Sequence, residues 1–363
     1  MNELRLVTRR KVACDLIGVA VVGCGYWGMN YVRVFDELPD ARLVSVCDQR
    51  PERLNGVGRR LRDVHLTTSF EDAIHQEGVD VAVICTEAST HYPLVRACLS
   101  AGKHVLVEKP ITTSVYQAEE LASMAEASPL VLMVGHTFIY NAGIRKLKEL
   151  IQQTAHRIYY LHACRTNLGP IRGDVNALWD LATHDIAIFN YLLEDVPQWV
   201  SAIGVKVLQN CREDVGFLSL GYRDGIVGHI HVSWADPNKV REVAVICSDK
   251  RIVFNDLNGV EQVRVFEKGV RAVSEEPLSF GEYNLQIRDG DIVSPKIEVR
   301  EPLKEQCRHF LECVRNGSRP LTSAREGCDV LRVLEAAERS MKAKGAEIEV
   351  VGNGGHTECK EAD

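Results

Sequence analysis

One helix-length segment, NALWDLATHDIAIF at residues 176–189, sets a carboxylate and an imidazole one turn apart. Asp180 and His184 stand at i and i+4, the spacing at which helical side chains meet. A carboxylate there can orient the ring and tune its proton affinity near neutrality, which suits general acid–base work. Wound at about 100° per residue, Asp180, His184 and Tyr191 gather opposite Leu178, Leu181, Phe189 and Leu192. The solvated face of an amphipathic helix would give the same pattern, but Lys and Glu, usual on such a face, are scarce here. A second group is VLVEKP, with Glu108, Lys109 and Pro110 at the end of a predicted parallel strand. Ligands bind at that end of doubly wound sheets, although a lysine on an ordinary surface would look no different.

The stretch GVAVVGCGYWG holds three glycines spaced G-x-G-x-x-G, at Gly23, Gly25 and Gly28. The spacing gains meaning from a strand before it, a helix after it and an acidic residue about 20 positions on. A strand at 17–22, a helix from near Trp27 and Asp48 at the end of the next strand supply all three. Gly23 permits the turn, Gly25 lets the backbone approach a pyrophosphate, and Gly28 lets helix and sheet pack closely. The helix N-terminus, at Tyr26 and Trp27, offers unpaired N–H groups to phosphate oxygens. Asp48 can accept the adenosine ribose hydroxyls and would repel a 2′-phosphate, so NAD is expected rather than NADP. Arg50 and Arg53 could soften that preference.

Further candidates surround these. In CTEASTHYP (85–93), Thr86 and His91 could line the cofactor, with Ser89 or Thr90 as a helix N-cap. GHTFIYN (135–141), ending near Tyr140, is expected to bridge two domains. The loop RTNLGPIRGDVN carries Arg165, Asn167 and Arg172, groups suited to a polyhydroxylated or phosphorylated ligand. A surface loop would look similar.

The elements that must position these residues follow from periodicity. Apolar runs at 17–23, 41–48, 79–86, 103–110 and 130–136 alternate with helical patterns, which implies a parallel sheet covered on both faces. From 198 to 267, strand-like runs follow one another without long helices between them, which implies an antiparallel sheet. Helices are expected at 141–153, 177–193, 302–316 and 324–343, with a last strand in AEIEVV. The fold class is thus α/β: an extension at 1–16, a Rossmann domain at 17–138, a substrate and oligomerisation domain at 139–351, and a disordered tail at 352–363.

At 363 residues the chain can bury two cores. A net charge of −7 and no long basic run argue against nucleic acid as the partner. No apolar run is long enough to span a bilayer. The 12 cysteines are scattered, without C-x-x-C or zinc-finger spacing, and suit reduced thiols in a cytoplasmic protein without a metal.

In combination, GVAVVGCGYWG, VSVCDQRPERL, ICTEASTHYPLVRACLSAGKHVLVEKP and WDLATHDI resemble the Gfo/Idh/MocA family, from about Ile17 to Val351. The resemblance implies an N-terminal Rossmann domain, and a C-terminal α/β domain whose open, mostly antiparallel sheet supports the substrate site and subunit contacts in a homodimer or homotetramer. It maps the family's catalytic lysine onto Lys109 and its D-x-G-x-H motif onto Asp180 and His184. Two departures are Ala182, where glycine is usual, and Glu87, where proline often stands. NLGPIRGDVNALWDLATHDI looks most like members that oxidise the 3-hydroxyl of UDP-N-acetylglucosamine or its uronic acid. The expected reaction is hydride transfer from a secondary sugar alcohol to NAD. His184 would take the hydroxyl proton and Lys109 would stabilise the alkoxide, or the two roles are exchanged, since a partly desolvated lysine near another cation can titrate near neutrality. Tyr140, Arg165, Asn167 and Arg172 are the expected sugar or diphosphate contacts. A free sugar or an inositol is the rival substrate. A dinucleotide-binding regulator is the rival from another class, against which Lys109, Asp180 and His184 argue together.

Overall fold

The computed structural model describes residues 16–61, 63–153, 157–169, 171–173, 175–208, 211–272 and 285–350. The expected extension (save Leu16) and the expected tail lie outside these residues. The chain divides into two compact units, one of residues up to Tyr140 with Arg300–Cys328, the other of Asn141–Val299 with residues from Asp329 on.

The first unit holds a six-stranded parallel sheet, in the order β3-β2-β1-β4-β5-β6. Its strands are β1 Ile17–Val22, β2 Ala41–Cys47, β3 His65–Thr67, β4 Val81–Ile84, β5 His104–Val107 and β6 Leu132–Val134. β1 and β4 are buried along their whole length, as expected of strands covered on both faces. The covering helices are α1 Tyr26–Glu37, α2 Pro51–Arg60, α3 Phe70–His75, α4 Ala88–Ser100 and α5 Val115–Glu126. The order reverses between β1 and β4, the switch point at which such sheets bind ligands. β3 and α3 were not expected. Both are too short to carry a period, though Ser69, which caps α3 by accepting from the Asp72 N–H, was a readable signal.

The expected domain limits placed 300–328 in the second domain, whereas these residues cluster with the first. The cause lies in specific bonds. In α8 Pro302–Asn316, the Gln306 amide donates to the Tyr31 phenol at 2.8 Å and Lys304 meets Glu37 at 2.9 Å. Beyond it, the Thr322 carbonyl accepts from the Val134 N–H, extending the sheet edge past β6.

The second unit is built on a nine-stranded sheet, ordered β16-β13-β12-β11-β7-β10-β9-β8-β17. Its central strands are β7 Ile158–Thr166, β8 Trp199–Val205, β9 Val215–Gly221, β10 Val227–Ser233, β11 Val240–Cys247, β12 Arg251–Asn255 and β13 Val263–Phe266. All neighbours pair antiparallel except β7 with β10. β14 Gly269–Ala272 and β15 Leu285–Arg288 form a separate pair; β16 Ile292–Val293 and β17 Ile348–Glu349 finish the large sheet's edges. One face, with Leu161, Ala163, Leu218, Ile230, Val243 and Phe254, is fully buried. Helix α6 Ala142–Gln152 belongs to this unit, as does most of α9 Ala324–Lys342.

The expected helix at 177–193 is two pieces, a π-turn at Leu178–Ala182 and α7 Thr183–Leu193. It lies close on the sheet. A Cβ on Gly216 would come within 2.5 Å of Leu178, and one on Gly228 within 2.7 Å of Phe189. Lys148 of α6 donates to the Tyr191 and Leu192 carbonyls and pairs with Glu194, so a cation closes the C-terminus of α7.

Candidate active site

The glycine turn in the first unit is shaped by backbone contacts. Gly23 has φ +94°, and a Cβ there would lie 2.8 Å from the Cys85 carbonyl oxygen. A Cβ on Gly28 would lie 1.7 Å from the Gly23 oxygen, so α1 can meet β1 this closely only through glycine. Gly25 differs: its Cβ would meet only the Arg53 guanidinium, at 3.8 Å. No described side chain caps α1 at Gly25, so no side-chain acceptor is provided there for its first N–H groups. Together the open position and the uncapped helix fit a dinucleotide pyrophosphate. Tyr26 and Trp27, 81% and 44% exposed, stand edge to face at this turn.

Asp48 is buried, and its first partners are internal. It accepts from the Cys24 N–H at 2.7 Å and the Arg50 N–H at 2.9 Å, and meets Arg53 at 3.4 Å. Burial alone would raise its carboxyl pKa, but these donors outweigh it and hold the group below the usual range. Asp48 thus ties the glycine turn to the end of β2. Its remaining lone pairs still suit ribose hydroxyls.

Glu108 and Lys109 leave β5 together. The buried Glu108 carboxylate accepts from the Tyr31 phenol at 2.8 Å and from the Lys109 N–H at 3.1 Å. Burial first, and the Glu108 charge second, push the Tyr31 pKa well up, so the phenol remains a donor. Gln306 closes the chain, donating to Tyr31 and accepting from the Thr137 hydroxyl at 2.8 Å. Glu108, at the strand end where ligand is expected, therefore anchors the turn that carries Lys109.

Two expected contacts are side chains with internal partners. His91 is buried, with one ring nitrogen 2.8 Å from the Pro110 carbonyl and the other 3.1 Å from that of Thr86. It bolts α4 to the EKP turn through both ring nitrogens. Tyr140 is 1% exposed, with its hydroxyl 3.2 Å from that of Thr322 and its ring against His309. It is part of the core of the first unit. Thr86 is half-buried and accepts from the Thr90 hydroxyl at 2.7 Å. Glu87, rather than Ser89 or Thr90, stands at the N-cap of α4.

In the second unit, Asn176 opens the segment 176–193 by accepting from the Trp179 N–H at 3.1 Å. Asp180 lies in the π-turn and His184 is the second residue of α7. No residue from 177 to 193 is exposed, which does not fit the solvated-face alternative. Arg172 reaches Asp180 at 3.3 Å and is 30% exposed. Asn167 turns back on its own loop, donating to the Gly169 carbonyl at 2.8 Å. Arg165, expected to touch substrate, is instead buried in a bidentate pair with Asp185, at 2.9 and 2.7 Å. Both partners are almost wholly enclosed, 6% and 1% exposed. Asp185 was missed, although a readable signal existed: it sits between Leu178 and Leu192 on the apolar side of the wheel, where a carboxylate needs a partner. Among the described residues no group of His, Cys, Asp and Glu is arranged to hold a metal, and no helix is long and apolar enough to cross a membrane. The described cysteines are free thiols.

Known proteins share this architecture. The sequence model of the oxidoreductase family with an NAD-binding Rossmann fold (GFO_IDH_MocA) matches residues 17–136, and that of the GFO/IDH/MocA C-terminal domain matches 144–253. The chain is 27% identical over 320 residues to UDP-N-acetylglucosamine 3-dehydrogenase of Acidithiobacillus ferrooxidans, covering 87% of this chain and 94% of that protein. It is 24% identical over 348 residues to myo-inositol 2-dehydrogenase of Thermotoga maritima, covering 90% and 96%. The crystal structure of GenD2 from gentamicin A biosynthesis, in complex with NAD, aligns with a TM-score of 0.78 at 25% identity, over 93% of this chain and 97% of that one. The chain belongs to the Gfo/Idh/MocA family, as an NAD-binding oxidoreductase acting on CH–OH groups.

Proposed function

We propose that the chain oxidises a secondary hydroxyl of a nucleotide sugar, the 3-hydroxyl of a UDP-N-acetylglucosamine-type substrate. The observation that carries this reading is the Arg172–Asp180 pair. It sets a partly exposed guanidinium beside the segment that carries His184, and a guanidinium there suits the diphosphate or uronate of such a substrate. The similarity to UDP-N-acetylglucosamine 3-dehydrogenase supports it. A free cyclitol is the second reading, favoured by the similarity to myo-inositol 2-dehydrogenase.

Bound NAD supplies the two-electron acceptor. In this reading His184 takes the hydroxyl proton, Asp180 orients the ring, and Lys109 holds the substrate oxygen and stabilises the charge that develops on it. Glu108 and Tyr31 fix the strand end from which Lys109 extends. Gly25, Asp48 and Thr86 belong to the dinucleotide side, and Asn167 and Arg172 to the sugar side.

The open face of the nine-stranded sheet supports a homodimer or homotetramer. Ile203 pairs with Phe217, and Tyr160 with Val227, and all four are exposed large hydrophobics. The free thiols suit a reducing, cytoplasmic location.

NADH formation at 340 nm with UDP-N-acetylglucosamine, its uronic acid, other UDP- and dTDP-sugars and free inositols tests the substrate. Turnover with a nucleotide sugar, and an increase of roughly tenfold in its KM in Arg172→Ala, is expected. Turnover with free polyols alone, unaffected by Arg172→Ala, discards the diphosphate reading.

A further inference from the structure

The segment that carries His184 changes its winding just before that residue. Leu178–Ala182 is a π-turn, and ordinary helix resumes at Thr183. A π-turn bonds i to i+5, so it takes in one residue more than an α-turn and is rare. Such a distortion persists where the surroundings over-determine it. Relaxed to an α-turn, it would rotate α7 against the residues before it by about 100°, and His184 would swing with α7. Side chains hold both ends. Before the turn, Asn176 accepts from the Trp179 N–H, the Trp179 indole donates to Glu338 of α9 at 2.6 Å, and Leu178 fills the space that Gly216 leaves on β9. After it stands Asp185, enclosed and held at both carboxylate oxygens by Arg165 from near the end of β7. A buried ion pair adds little net stability, because desolvation offsets most of the attraction. A two-point arginine–carboxylate fork does fix geometry, and this one does so at the residue next to His184.

We propose that Asp185 is a positioning residue for the reaction: clamped by Arg165, it fixes the register of α7 beyond the π-turn and so the aim of the His184 ring. The inference rests on the reading of His184 as the group that takes the hydroxyl proton. Asp185 acts through His184 and exchanges no proton itself. Its role differs from that of Asp180, which meets the ring from the other side of the turn and orients it directly in that reading.

The test replaces the clamp by apolar groups, Arg165→Met with Asp185→Ala, so that both charges leave together and most of the native stability is kept. With whichever sugar or polyol the native protein oxidises, kcat should fall by about tenfold or more, while KM and the Kd for NADH stay near their native values. Adding His184→Ala should then cost no more turnover than His184→Ala costs alone, because nothing is left to position. Losses that multiply overturn the proposal, as does native kcat in the stable apolar variant. Arg165→Lys keeps the charge and loses the fork, and it carries the same cycle if the apolar pair does not fold. Failure of the underlying reading looks different, since His184→Ala itself then keeps native turnover. The clamp is in that case read from the ring, by NMR of isotope-labelled histidine with the His184 signal assigned by its loss in His184→Ala. In Arg165→Lys that signal should move or broaden more than those of the other histidines, and an undisplaced signal overturns the proposal whether or not any sugar turns over.

Discussion

The two units reach chemistry by opposite means. At the glycine turn of the first, recognition belongs to the backbone: two glycines admit contacts no side chain would allow, a third leaves room above the chain, and an uncapped helix supplies the donors. In the segment 176–193 of the second, side chains carry everything, and each is held by another. Asn176 caps, Arg172 meets Asp180, and Arg165 locks Asp185 beneath them. A backbone site is thus fixed by shape, and a side-chain site by pairing. The first should fail when atoms are added, and the second when a partner is taken away.

The largest expected effect is at Asp185. Asp185→Ala leaves the Arg165 guanidinium buried without its counter-charge, which costs about 3–5 kcal/mol. Urea unfolding should show the loss, while Asp185→Ala with Arg165→Met should regain most of it. If Asp185→Ala alone is as stable as the native protein, pairing does not hold this segment. Gly28→Ala comes next, because its Cβ must displace backbone rather than a flexible side chain, at a cost of about 3 kcal/mol and with loss of NADH binding. Gly25→Ala has room for its methyl and should keep the native Tm while losing NADH affinity. Equal Tm values for the two alanine variants would end the distinction between a packing glycine and a ligand-facing one.

A step smaller are the two groups proposed to act on the reacting hydroxyl. Lys109→Ala and His184→Ala should each cut turnover by roughly 10²-fold while leaving the Kd for NADH unchanged. Native turnover in either variant removes that residue from the reaction. A bell-shaped kcat/KM profile that loses its acid limb only in His184→Ala assigns the base to His184 rather than to Lys109.

The same contrast explains what could be read from the chain. Backbone sites are local: a buried run, three glycines at fixed spacing and an acidic residue after the next strand declare the cradle within 32 residues of one another, from Ile17 to Asp48. Strands of seven to nine residues, such as β7 and β10, announced themselves by alternation. Side-chain sites depend on partners distant in sequence. Tyr140 is made core by Thr322, His91 by Pro110, and Arg165 by Asp185, and nothing near any of the three states its fate. The internal partners of these chemically attractive residues were therefore not legible, and residues whose work is holding others, Tyr31, Gln306 and Asp185, went unnamed. The two-residue strands β16 and β17 are too short to show any period.

His136 crosses the two categories, since it is a side chain in the backbone-built unit with no internal partner, and it yields the smallest predicted effect. Its native pKa of about 4 lies below the ordinary 6.5 because burial penalises the charged ring, with Lys109 adding to the penalty. As pH falls below 6.5 the unfolded chain takes up a proton here that the native chain refuses until about pH 4. The unfolded state then binds more protons, so native stability declines as pH falls through that window. His136→Phe removes this component and leaves every other titration in place. Between pH 7 and pH 5 the variant should gain ~2 kcal/mol on the native protein in urea unfolding. A constant difference across that range would mean that the native ring is protonated like one in water. It would then have a buried partner after all.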